Sequence, residues 1–262
     1  MTVLLIGVLY FFVILIVIST GAIAGISGGV ILRPIFDAIG YHDPLSIAFY
    51  MAVAVLTMSI SSTIKQIVMG TQINFKKVFA LAAGSFTGGL IGQLIMNHIL
   101  YEAGDDALQI IQSLLSIASL AFVLFFTRED VKKHSLGGTF WYVLTGLGLG
   151  TFATVLSIGG GPINVIVFVI LFGITLKEAT VYSITTIFFA QAARLGSIGV
   201  EHGFSTFDLR MLFFIVPAAI LGGVIGGRLN VLLPEGSVMK VFKFVVTGTI
   251  LLNIFNVTLM LV

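Results

Sequence analysis

The sequence predicts an all-α polytopic membrane protein. It is read as two pseudo-symmetric, inverted repeats, each a broken, re-entrant helical hairpin plus three membrane-spanning helices. Three observations carry this. First, 58% of the chain is hydrophobic and only 9% is charged, against about 25% charged in a soluble domain. Second, most of its eight apolar runs have the 20–25 residues that cross a bilayer. Third, a glycine-rich stretch occurs twice, 132 residues apart: Ala22-Ile23-Ala24-Gly25-Ile26-Ser27-Gly28-Gly29, and Thr154-Val155-Leu156-Ser157-Ile158-Gly159-Gly160-Gly161.

The runs cover residues 2–36, 45–69, 77–99, 107–126, 138–172, 178–200, 209–233 and 238–261. The first and fifth have 35 residues each. As one helix, each would reach roughly 50 Å, too long for a hydrocarbon core of about 30 Å and too short for two full crossings. A hairpin bent at the glycine cluster fits that length, because Gly and Ser weaken a helix where they stand. Residues 1–19 carry no charge and no small-residue cleavage site, so they are read as the first membrane helix and not as a removed signal peptide.

The halves also match outside the clusters. Gly40 aligns with Gly173, Gly70 with Gly203, and Gly88-Gly89-Leu90-Ile91-Gly92 with Gly222-Gly223-Val224-Ile225-Gly226. The reading is an N-terminal repeat over 1–127, a charged cytoplasmic linker over 128–134 and a C-terminal repeat over 135–262, in one integrated membrane domain. Gly84, Gly88 and Gly92 are spaced by four, as are Gly222 and Gly226. Such stripes let helix backbones approach closely, and they make a homodimer plausible. Pro217 predicts a kink in its helix.

Lys and Arg in the loops set the orientation. If each long run returns to the side it came from, ten Lys and Arg fall inside and three outside (Arg33, Arg194 and Arg210). If each crosses once, the split is eight to five. The first arrangement inverts the halves and puts both termini outside, in a multi-pass protein of the cell (inner or plasma) membrane. Cysteine is absent, which excludes disulfides and thiolate metal sites. No metal or cofactor is expected. With no basic patch or soluble domain, nucleic acid is not an expected partner. A P-loop is also missing, so ATP does not drive this chain directly.

Gly25-Ile26-Ser27-Gly28-Gly29-Val30-Ile31-Leu32-Arg33-Pro34 resembles the glycine signature of the sulfite exporter TauE/SafE family of membrane permeases, and Ser157-Ile158-Gly159-Gly160-Gly161 resembles its second copy. The likeness extends over the whole chain. It departs at Ser27, which replaces the first glycine of a triplet, and at Ala22 and Thr154, where an earlier glycine is usual. Pro162 follows the second triplet at once. The resemblance implies transport of sulfite, sulfoacetate and related small anions.

Independent of the family, a break that starts a new helix presents free N–H groups and partial positive charge to an oxyanion. Two breaks in matching places of two repeats point to a transporter's binding site. The candidate substrate-binding residues are therefore Gly25, Ser27, Gly28, Gly29, Ser157, Gly159, Gly160, Gly161 and Asn164. Gln191 and Arg194 add hydrogen bonding or charge from the sixth run, where an intramembrane cation is a functional candidate. Lys65 is read as snorkelling and Arg33 as anchoring a helix end outside. The hydroxyls of Ser59, Ser61, Ser62, Thr185 and Thr186 either line the path or bond to their own helices. The expected activity is a secondary transporter working by alternating access, with lipid and a small anion as partners. An anion channel with the same site is the alternative. Gly25-Ile26-Ser27-Gly28 also resembles the short pattern around the nucleophile of rhomboid-type intramembrane proteases. The four His residues lie in loops or at the ends of runs and none within a helix core to act as base, so an enzyme is not expected.

Overall fold

A computed structural model describes residues 3–71, 74–127, 134–156 and 161–261. Most of the linker (128–133) and Ser157, Gly159 and Gly160 lie outside the described residues. Every long element among the described residues is a helix.

Each long apolar run is a pair of helices. α1 (Val3–Ala24) stops at the first glycine cluster, and α2 (Gly29–Ile39) leaves it. The two fold back on one another: the Tyr10 and Phe36 rings stack with centroids 4.2 Å apart, and Tyr10 Oη lies 2.9 Å from His42 Nδ1. The run thus begins and ends at one side of the bundle. α5 (Thr139–Val155) and α6 (Gly161–Phe172) do the same, with Tyr142 stacked on Phe172 at 4.1 Å. The backbone N–H groups of His134 and Leu136 donate to the carbonyls of Ile170 and Leu171 (2.7 and 2.9 Å), tying the entry of this hairpin to its exit.

The remaining helices are α3 (Pro44–Val68), α4 (Phe75–Phe126), α7 (Leu176–His202), α8 (Leu212–Leu232) and α9 (Glu235–Leu261). Asp43 caps α3 by accepting from the Leu45 and Ser46 N–H groups, both at 3.0 Å, and Pro44 supplies a preset φ at its start. Thr175 and Glu178 form a reciprocal capping box on α7. α4 breaks at Gly104 (φ 79°, ψ 177°) into two limbs. The first limb runs alongside α5, and the second returns, with Gln112 reaching Val155 at the far end of α5. Among the described residues, five helices are long and apolar enough to cross a membrane: Val3–Ala24, Pro44–Val68, Phe75–Gly104, Leu209–Leu232 and Glu235–Phe255. The more polar α7 is not one of them. It packs against α3, α4, α5 and α6, and Thr180, Ser183, Thr186, Gln191 and Arg194 are buried inside the protein.

The glycine stripes join the halves to each other. A Cβ on Gly92 would lie 2.6 Å from the Thr151 carbonyl oxygen of α5, and one on Gly226 would lie 2.5 Å from the Ser19 carbonyl oxygen of α1. Gly88 meets the Leu147 carbonyl oxygen, and a Cβ on Gly222 would sit 3.2 Å from that of Leu15. Leu15 and Ser19 stand 132 residues before Leu147 and Thr151, so the third run of each half rests on the first run of the other in the same register. These stripes thus serve close helix packing within the chain. Pro217 lies inside α8.

His42 follows α2 in a loop, edge-on to Tyr41 and Tyr50 with ring centroids 4.8 and 5.0 Å away. Burial lowers its pKa below the usual 6.5, partly opposed by the charges of Asp43 and Asp208. The folded protein therefore resists protonation that the unfolded chain accepts. The stabilisation is complete above about 6.5 and is lost as pH falls from there through the folded pKa. In a pH series, the ¹³Cε1 resonance of His42 is expected to titrate below that of an exposed histidine, and His42→Gln to reduce the loss of thermal stability as pH falls below about 6.5. A His42 titration at the ordinary value would show that the ring cage is open to water.

Candidate functional site

The two breaks meet. The chain leaves α1 at Gly25 (φ 71°) and enters α2 through Gly28 (φ 68°), backbone conformations that glycine adopts without a Cβ penalty. Within this turn the Ile26 N–H donates to the Gly21 carbonyl (2.8 Å), and the Gly28 carbonyl accepts from Ile31 and Leu32 (3.0 and 2.9 Å). α5 ends with the Leu156 N–H donating to the Phe152 carbonyl (3.0 Å). α6 then starts at Gly161, where a Cβ would lie 2.7 Å from both Ile26 Cα and Ser27 N. The start of one broken helix is thus seated directly on the turn of the other.

Side chains from neighbouring helices satisfy carbonyls that the breaks leave without helical partners. Ser183 Oγ on α7 donates to the Gly25 carbonyl at 2.7 Å and lies 3.4 Å from the Gly161 carbonyl, touching both breaks. Asn230 on α8 donates to the Ile23 carbonyl at 2.7 Å, near the end of α1. Gln112 on α4 donates to the Val155 carbonyl at 2.8 Å, the last of α5. Ser27 and Asn164 are fully buried. Neither Nδ2 nor Oδ1 of Asn164, in the first turn of α6, has a hydrogen-bond partner among the described residues. A buried amide in that state costs free energy unless a ligand or water meets it.

Of the residues the sequence nominated, Gly25, Ser27 and Gly161 lie at this contact. Gly28 and Gly29 open α2, and Asn164 lies a turn into α6. Gln191 and Arg194 stand about 12 and 16 Å further along α7 than Ser183, by helical rise. Both are buried, Arg194 at 1% exposure. Arg194 lines a cavity of about 80 Å³ together with Arg33, Met96, Gln112 and residues at the start of α3. Arg33, expected as an outside anchor, is paired with Asp37 (Nε to Oδ2, 3.0 Å) on that wall. Lys65 lies in the last turn of α3. Of the hydroxyls, Ser59 and Ser61 donate to the carbonyls of Val55 and Met58 (2.8 and 3.1 Å), and Thr185 and Thr186 to those of Val181 and Tyr182 (3.0 and 2.9 Å), all within their own helices. Ser62 instead accepts from Gln66 Nε2 at 3.2 Å.

Sequence reasoning missed Ser183, Asn230 and Gln112. It also missed an aromatic set that repeats at the offset of the glycine clusters: Tyr10, Phe36 and Tyr50 recur as Tyr142, Phe168 and Tyr182. In the first set, Tyr10 and Tyr50 flank His42 and Phe36 stacks on Tyr10. At the second, Lys77 Nζ lies 5.4 and 6.0 Å from the Tyr142 and Tyr182 ring centroids.

No curated protein and no solved structure matches this chain. The family model described as sulfite exporter TauE/SafE matches residues 10–253, nearly the whole chain, and the chain belongs to that family.

Proposed function

We propose that this protein is a secondary carrier of small oxyanions such as sulfite, with the substrate cradled where the two breaks meet. Membership of a transporter family, not an enzyme family, makes it a multi-pass membrane anion permease. The finer reading rests on one observation. The start of α6 sits on the turn that leads from α1 into α2, Ser183 touches both breaks, and the buried amide of Asn164 lies in the first turn of α6. The helix starts supply N–H groups and partial positive charge, and glycine lets the ligand approach the backbone. The proposed substrate-binding residues are Gly25, Ser27, Gly28, Gly29, Ser157, Gly159, Gly160, Gly161 and Asn164, with Gln191 and Arg194 adding charge or hydrogen bonding along the path.

Alternating access follows from two inverted repeats moving against one another around a fixed site. Two observations support that arrangement. α4 starts where α3 ends, and its first limb runs in the direction of α7, pairing Ser85 with Thr186 and Asn97 with Glu201. α3 and α7, which match at the repeat offset, therefore run in opposite directions. The recurring aromatic sets then lie at opposite ends of the bundle. With the Lys-rich loops inside, both termini lie outside the cell membrane.

The test is uptake of radiolabelled sulfite into proteoliposomes. A carrier gives saturable flux that unlabelled sulfite on the far side accelerates. Non-saturating flux without this exchange identifies a channel, and absence of anion flux under any gradient overturns the proposal. Ser183→Ala removes the hydroxyl that joins the breaks and is expected to lower flux roughly tenfold, matching a loss of about 1–1.5 kcal/mol. Equal flux in Ser183→Ala and wild type would make the bridge incidental.

A further inference from the structure

We propose that the starts of α4 and α5 form a pocket for a phosphate oxyanion, filled by the phosphodiester of an anionic phospholipid headgroup. The pocket is separate from the breaks and does not rest on the carrier reading. Along α4, Gly84, Gly88 and Gly92 face Val143, Leu147 and Thr151 of α5 in turn, so the two helices run parallel and begin at the same end of the bundle. Their N-termini add partial positive charge there. Asn74 caps α4 by accepting from the Lys77 N–H at 3.3 Å. α5 has no side-chain cap: Gly138 (φ 96°) brings no side chain, and a Cβ there would meet nothing within 4 Å. The N–H groups of the first turn of α5 are thus left for a ligand or water. They adjoin a cavity of about 170 Å³, lined by Asn74, Lys76, Lys77, Gly138, Thr139 and Tyr142.

A helix start alone selects no ligand, and Tyr142 supplies the independent observation. Its side chain lines the cavity yet is only 5% exposed, held by its stack on Phe172. Lys77 Nζ stands 5.4 Å from the ring centroid, and an ammonium can only donate to the Tyr142 oxygen. The O–H of Tyr142 finds no acceptor among the described residues. A buried donor in that state costs free energy until a ligand or water accepts from it. Among the described residues, Lys76 and Lys77 form no ion pair. Glu178, whose charge acts on Lys77, accepts instead from the Thr175 N–H in the α7 capping box. Two ammonium groups, a buried hydroxyl and uncapped N–H groups are all donors, and a set of donors suits an oxyanion. Its place in the bundle favours a lipid over a free ion. Phe75, Phe79, Phe140 and Trp141 are exposed on the first two turns of the same helices. Aromatic side chains at helix ends mark the membrane–water interface, where basic pockets between membrane helices hold anionic headgroups.

The test reads binding apart from transport. Native mass spectrometry of the purified, detergent-solubilised protein counts bound lipid, and thermal unfolding reads the stabilisation that binding brings. The probes are phosphatidylglycerol, phosphatidylcholine and inorganic phosphate. Phosphatidylglycerol is expected to stay bound to wild type and to raise its unfolding temperature with concentration. Phosphatidylcholine, whose choline cation the lysines repel, and inorganic phosphate, which has no acyl chains, are expected to bind more weakly. Lys77→Gln and Tyr142→Phe are each expected to weaken phosphatidylglycerol binding roughly tenfold. Tyr142→Phe keeps the ring and its stack while losing the donor, so it carries the test if Lys77→Gln fails to fold. Lys65→Gln removes a positive charge from the last turn of α3, at the same end of the bundle and outside the cavity, and is expected to change nothing. Phosphatidylglycerol binding absent from wild type, or unchanged in the folded Lys77 and Tyr142 variants, overturns the pocket. An equal loss in Lys65→Gln also overturns it, because diffuse attraction between charges would then explain the binding. Inorganic phosphate that stabilises as strongly as phosphatidylglycerol, through the same residues, overturns the lipid as occupant in favour of a free oxyanion.

Discussion

Gly161→Val is expected to abolish sulfite flux in proteoliposomes while leaving the helical bundle folded. A Cβ at residue 161 would lie 2.7 Å from Ile26 Cα and from Ser27 N, and 3.1 Å from the Ile26 carbonyl carbon. These are backbone atoms of a turn fixed by its own hydrogen bonds, so no rotamer change relieves the overlap. The start of α6 has to back away from the first break. Overpacking of this kind costs about 1–3 kcal/mol. Here the displacement falls on the geometry of the proposed site, where loss of about 3 kcal/mol of substrate stabilisation slows flux more than a hundredfold. Asn164→Leu offers a second route, because it replaces the buried amide without touching the turn, and it is expected to weaken flux with little change in folding. Thermal unfolding separates the two kinds of failure. Wild-type flux in a folded Gly161→Val protein would reduce the breaks to packing devices.

The fold was legible because hydrocarbon admits few solutions. An apolar run of 35 residues with a glycine cluster inside has to break there, and helices broken at depth are tolerated only when buried in protein or lining a cavity. Gly25, Ser27 and Gly161 were therefore readable as partners from their place in two matching runs. Ser183, Asn230 and Gln112 were not. Each is a polar residue inside an apolar run, a pattern shared by many residues that bond to their own helix, as Thr185 does to the Val181 carbonyl. What distinguishes Ser183 is contact with Gly25 across 158 positions of sequence, a matter of tertiary packing that no local pattern carries. Arg33 shows the same limit. Its sequence neighbours, Pro34 and the end of a run, suit a helix anchor, and its place on one cavity with Arg194 depends on tertiary packing. The aromatic repeat, by contrast, was open to inspection: Tyr10 and Tyr142, Phe36 and Phe168, and Tyr50 and Tyr182 stand at the offset of the glycine clusters. A search confined to small residues passes over it.

Gly226→Leu and Gly92→Leu are expected to be strongly destabilising, and to fail alike. Each glycine lets a third-run helix rest on the first-run helix of the other half. A Cβ on Gly226 would meet the Ser19 carbonyl oxygen at 2.5 Å as well as the Ala22 side chain, and one on Gly92 would meet the Thr151 carbonyl oxygen at 2.6 Å and Thr154 Cβ at 2.8 Å. In a bilayer, close van der Waals packing supplies much of the attraction between helices, since lipid is as apolar as the side chains. Separating the backbones by the width of a Leu side chain therefore removes the contact along the whole crossing. A loss of about 3 kcal/mol or more is expected from each, at the upper end of the range for overpacked cores. Gly248→Leu is the matched control, because a Cβ there meets nothing within 4 Å. It is expected to unfold at the wild-type temperature. Thermal unfolding in detergent, with monodispersity checked by size-exclusion chromatography, reads all three. Because α1 and α5 each carry a break as well as a stripe contact, partly folded Gly226→Leu and Gly92→Leu proteins are also expected to lose sulfite flux together. A large effect at one glycine and none at the other would mean that the two halves do not share the packing equally, and that one α1–α8 or α4–α5 pair holds the protein together while the other is free to move during transport.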